Sequence, residues 1–87
     1  MPGPHFMLIK ALHPELQKYL KSHGLEKKFQ KQAKIFQENP NRPSLNVEIL
    51  EPKHRRIYSF RIDRKYRAIF ITQQGETNIV DINNHYQ

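Results

Sequence analysis

The sequence predicts an α+β fold: an N-terminal strand, then an antiparallel helix hairpin packed on one face of a mainly antiparallel sheet of four to five strands. Three observations carry this. Apolar residues between Leu12 and Phe36 recur at spacings of three and four, the period of a helix. From Leu45 onward they alternate with polar residues, the period of a strand. Helical segments followed by a run of strands indicate helices gathered on one sheet face.

Residues 1–5 contain two prolines and a glycine and read as a disordered leader or a cloning remnant, leaving one domain over residues 6–87. Phe6 to Ala11 is a short apolar run, read as the first strand. Pro14 and Glu15 open a helix, because proline tolerates the first helical position and a carboxylate suits the positive end of the helix dipole. Leu12, Leu16, Tyr19 and Leu20 share one face, and Gly24 is the expected stop. Leu25, Phe29, Ala33 and Phe36 give a second helix, which Asn39 and Pro40 end. Leu45, Val47 and Ile49 predict a strand, as do Tyr58, Phe60 and Ile62, then Tyr66, Ala68 and Phe70. A turn at Gln73–Glu76 leads to the last strand, with Val80 and Ile82 expected on one face and Asp81 and Asn83 on the other.

The charge is +7 and the pI about 9.9, which favours a polyanionic partner such as RNA, DNA or an acidic protein. Seven of the fifteen basic residues lie between Lys53 and Arg67, against Asp63 alone. Lys27, Lys31 and Lys34 form a helical stripe, read as a solvated face. The absence of cysteine excludes disulfides and thiolate metal sites and suits the cytoplasm. No apolar run approaches the ~20 residues of a membrane span.

Alternation puts Arg61 and Arg67 together on the face turned away from the helices, where replacing them is expected to leave the fold intact. Guanidinium groups so held can grip phosphate oxygens through paired hydrogen bonds. The bland reading is a set of surface ion pairs with Asp63 and Glu51. His85 is a candidate general acid or base, continued alternation placing it near the arginines, or else an ordinary terminal histidine. Tyr86 is a candidate stacking platform for a base, or a frayed end. Lys53, His54, Arg55, Arg56, Arg64 and Lys65 are candidate RNA contacts, with a solvated loop as the alternative for His54. The five histidines show no metal-ligand spacing, and no glycine-rich phosphate loop or cofactor fingerprint is present, so neither metal nor cofactor is expected.

Three stretches, Tyr58-Ser59-Phe60-Arg61-Ile62, Tyr66-Arg67-Ala68-Ile69-Phe70 and Ile82-Asn83-Asn84-His85, together with the order of elements, resemble the RelE/ParE superfamily of toxins from type II toxin–antitoxin systems. The resemblance implies a RelE-like toxin domain over residues 6–87. In the RelE and YoeB branches it implies a ribosome-dependent mRNA endoribonuclease, in which a 2′-hydroxyl of the message attacks the neighbouring phosphodiester. It implies catalytic roles for Arg61 and Arg67, and for His85 and Tyr86 as a terminal His-Tyr pair. It also implies a cognate antitoxin, the ribosome and mRNA as partners, and operator DNA contacted through the antitoxin. Ser59 departs from the RelE branch, which has lysine there, and Glu48 is the nearest outward carboxylate for the base of the YoeB branch. A ParE-like inhibitor of DNA gyrase and a catalytically inactive RNA- or antitoxin-binding relative are the alternatives, since one fold serves all three.

Overall fold

The computed structural model describes residues 8–85. The expected leader, Phe6 and Met7 of the expected first strand, and Tyr86 lie outside the described residues. The chain runs β1 (Leu8–Ile9), α1 (Pro14–Ser22), α2 (Glu26–Glu38), β2 (Glu48–Ile49), β3 (Tyr58–Arg61), β4 (Arg67–Gln73) and β5 (Glu76–Asn83). The strands form one mixed sheet in the order β1-β5-β4-β3-β2. β1 pairs with β5 in parallel, and the other neighbours are antiparallel.

Each helix end follows from local chemistry. Pro14 sits in the first turn of α1, and the His13 ring accepts the Glu15 amide at 3.1 Å, the part a serine or aspartate usually plays. After α1 the chain turns at Gly24, whose φ of 65° favours glycine. The Gly24 amide bonds the Lys21 carbonyl and the Leu25 amide reaches back to Leu20 at 2.8 Å, the double closure of a Schellman motif. The same turn drops Leu25 into the core beside Leu20.

Phe29, Ala33 and Phe36 bury one stripe of α2 against Phe60, Ala68, Phe70, Ile79 and Ile82 of the sheet. Phe36 stacks on Phe60 with ring centroids 5.1 Å apart and meets Phe70 edge-on at 5.0 Å. Fully burying such a side chain is worth about 1.5–3 kcal/mol, so this stripe dominates the attachment of the helices. The buried amide of Gln32 donates to the Ser44 carbonyl at 3.1 Å and to the Arg61 carbonyl at 2.7 Å, tying α2 to the end of β3.

Two expectations fail at the strands. Leu45 does not open a strand: it lies in a 3₁₀ turn, Pro43–Leu45, and Asn46 follows with φ of 45°. That left-handed residue breaks the alternation, so β2 keeps only Glu48 and Ile49 while Val47 is exposed. In β5 the register slips between Ile69 and Phe70, which face Asp81 and Ile79. Val80 is thus the extra residue of a β-bulge, 47% exposed, and Ile79 and Ile82 take the core positions. Asp81 and Asn83 keep the outward face expected of them, opposite Ile69 and Arg67.

Candidate functional site

The side of the sheet opposite the helices is built by pairing. Arg61 lies directly across from Arg67, which in turn lies across from Asn83. One row further, Glu48 faces Ser59 and Ser59 faces Ile69. Cross-strand partners point to one side of a sheet, so the two arginines share a face as alternation implied.

Their environments differ. Arg61 is exposed, while Arg67 is only 4% exposed. The Arg67 Nε–H donates to the Ser59 hydroxyl at 2.8 Å. Its Nη2 donates to the Asn46 carbonyl and, at 3.4 Å, to the Ser59 carbonyl. Glu48 Oε1 lies 3.8 Å from the same Nη2. Arg67 is therefore not the open fork expected from the sequence: its Nε–Nη2 edge is occupied by the protein, and Nη1 takes part in none of these bonds. Burial pushes the guanidinium pKa down; the Glu48 carboxylate opposes that shift and the nearby Arg61 charge adds to it.

The alternative reading, in which the arginines pair with Asp63, is not what the turn after β3 contains. Asp63 Oδ1 accepts the Lys65 and Tyr66 amides, each at 2.8 Å, and Oδ2 pairs with Lys28 at 3.2 Å. Burial alone would raise the Asp63 pKa, but the two amides and Lys28 outweigh it and hold the carboxyl below its usual value.

The seven cations between Lys53 and Arg67 do not form one patch. Lys53, His54 and Arg55 make an exposed 3₁₀ turn before β3, closed by Arg56 with φ of 54°. Arg64 and Lys65 are exposed in the turn after β3. Three steps of strand, about 10 Å, lie between the two ends of β3. Lys27, Lys31 and Lys34 are exposed on α2, as a solvated face requires.

β5 ends at Asn83, so strand alternation does not carry His85 outward as expected. His85 instead sits exposed in a bend, with its amide bonded to Asn83 Oδ1 at 3.0 Å, two residues past the partner of Arg67. Sequence reasoning left Asn46 and Ser59 out of the site, and Glu48 off its list of catalytic residues. Alternation does put Glu48 and Ser59 on this face, and asparagine tolerates the left-handed conformation that aims the Asn46 carbonyl. Their convergence on Arg67 depends on the 3₁₀ turn, which has no sequence period. Among the described residues, no three His, Asp or Glu side chains cluster as metal ligands, and no helix is long and apolar enough to cross a membrane.

Two helices packed on one face of a five-stranded mixed sheet make a RelE/YoeB-like fold. The chain superposes on a chain of the heterotetrameric YoeB–YefM toxin–antitoxin complex from Staphylococcus aureus with a TM-score of 0.66. That match covers 97% of this chain and 100% of the other at 20% identity, and so establishes the fold alone. By sequence, 43 residues are 37% identical to an uncharacterized protein of Haemophilus influenzae, covering 49% of this chain and 43% of that protein. The match therefore spans less than half of that relative's length. No family model matches.

Proposed function

We propose that this chain is the toxin of a toxin–antitoxin pair, an mRNA endoribonuclease that works on the ribosome and so inhibits translation. The observation that carries the reading is one sheet face on which Arg61 stands opposite Arg67 and Glu48 lies 3.8 Å from Arg67. Two cations and a carboxylate there supply what cleavage by an internal nucleophile needs. Glu48 takes the proton of the 2′-hydroxyl as its oxygen attacks phosphorus. Arg61 and Nη1 of Arg67 stabilise the charge that builds on the phosphoryl oxygens. The bond to the 5′ oxygen breaks, and His85 gives that oxygen its proton. The products are a 2′,3′-cyclic phosphate and a 5′-hydroxyl end. Tyr86 stacks on a base of the message.

The two basic ends of β3 bind the phosphates of the ribosome–message assembly: Lys53, His54, Arg55 and Arg56 at one, Arg64 and Lys65 at the other. A cognate antitoxin, largely helical and partly acidic, covers Arg61 when the protein is idle, and the pair contacts operator DNA through the antitoxin. The site of action is the cytoplasm. The fold likeness to a chain of a YoeB–YefM toxin–antitoxin complex supports the toxin reading.

A second reading, a relative that binds RNA or antitoxin without cutting, is favoured by one observation: the Nε–Nη2 edge of Arg67 is already taken. Translation of a defined message with purified ribosomes, followed by mapping of the cut ends, decides between them. The nuclease reading expects cuts in the ribosomal A site only when ribosomes are present. Intact message with binding retained selects the second reading. Gyrase-dependent DNA breaks with no RNA cleavage select the ParE-like alternative.

A further inference from the structure

We infer that Ser59 is the positioning residue for Arg67, holding one edge of the guanidinium so that a single nitrogen, Nη1, meets the scissile phosphate. The inference rests on the nuclease reading and adds to it a residue that does not itself touch RNA. Ser59 is fully buried, and its hydroxyl takes the Arg67 Nε–H at 2.8 Å while its carbonyl takes Nη2 at 3.4 Å. A hydroxyl so placed has no access to a substrate. Its bond fixes the rotation of the guanidinium about its stem, and the Asn46 carbonyl fixes the far end.

The alternative for such a side chain is a lone arginine that must be ordered at the moment of reaction. Positioning it beforehand removes that cost from the barrier. A lysine at Ser59 would bring an ammonium against a buried guanidinium, whereas the serine hydroxyl accepts its N–H. Arg61, on the neighbouring strand, is the exposed half of the pair.

The test is a double-mutant cycle in the ribosome assay, run beside nitrogen-15 NMR of the arginine side chains. Ser59→Ala removes the acceptor. Ser59→Cys keeps nearly the same volume with a much weaker acceptor, which guards against a packing artefact. In the wild type the Arg67 Nε–H should exchange slowly with solvent and stand apart from the exposed arginines. Both variants should lose that protection and lower kcat by about 10²-fold, with KM nearly unchanged, as expected when a group is misplaced by about 1 Å. In an Arg67→Ala background the same changes should have no further effect on kcat. Ser59 variants that cleave at the wild-type rate overturn the inference while the nuclease reading stands. Equal slowing with and without Arg67 also overturns it, assigning Ser59 to structure. A wild-type protein that cuts no message overturns the nuclease reading and the inference together, which is a different pattern from either.

Discussion

Replacing Arg67 by alanine should damage the fold as well as the site. Sequence reasoning expects both arginines to be dispensable for folding because they point away from the helices. The structure separates them. Truncating Arg67 removes the donor bonded by the Ser59 hydroxyl, the Ser59 carbonyl and the Asn46 carbonyl. Ser59 is fully buried, so water does not readily replace the lost partner. Each buried acceptor left without a donor costs about 1–3 kcal/mol, which puts the whole loss at roughly 2–5 kcal/mol once partial relaxation is allowed. A domain of this length has about 4–13 kcal/mol of stability in total. Urea unfolding followed by circular dichroism should therefore show the midpoint falling by about 2 M or more, with a slope near 1 kcal/mol per molar. A variant within about 0.5 kcal/mol of wild type would refute the reasoning, because Arg67 would then be held no more firmly than a surface side chain.

Arg61→Ala is the cleaner probe of catalysis: cleavage should fall by ~10²-fold or more with the urea midpoint unchanged, since Arg61 is exposed. His85→Gln should slow cleavage by about 10²–10⁴-fold and leave ribosome binding intact, measured by cleavage and ribosome co-sedimentation on the same samples. Asp63 has its carboxyl pKa held below 3.8 in the folded chain, so its contribution to stability is complete above that value and is lost as the pH falls through the lower folded one. Asp63→Asn should accordingly flatten the acid limb of the stability curve below about pH 4, measured by thermal unfolding across pH.

The helices were legible because their burial repeats. Leu25, Phe29, Ala33 and Phe36 each meet the core at the spacing the sequence displays. The central strands were legible for the same reason, and the pairing of Arg61 with Arg67 followed from alternation. What escaped is aperiodic. A bulge at Val80 adds one residue to β5 and shifts the core position to Ile79, and no local residue type announces it. The left-handed Asn46 ends the alternation begun at Leu45. The site was half legible: the arginines lay on the expected face, but the depth of Arg67 was not. Exposure of a strand face depends on what packs beside it, and here the 3₁₀ turn and Ser59 close over the guanidinium.

The parallel pairing of β1 with β5 has a consequence for the order in which the molecule can be completed. Leu8 and Ile9 lie beside Glu76 and Thr77, and the Lys10 amide bonds the Thr77 carbonyl at 2.9 Å. Among the described strands, β1 thus waits for β5, which follows it by more than sixty residues. Until β5 emerges, β1 has no neighbour in the sheet, the inner edge of β4 is open, and Asn83 is absent from beside Arg67. Closing a loop of this length costs entropy before its contacts offset it, and non-local strand pairing forms more slowly than local helix contacts. A nascent chain therefore carries its helix hairpin and β3 well before it carries a finished arginine face, and whatever that face does begins only once β5 has paired with β4 and β1.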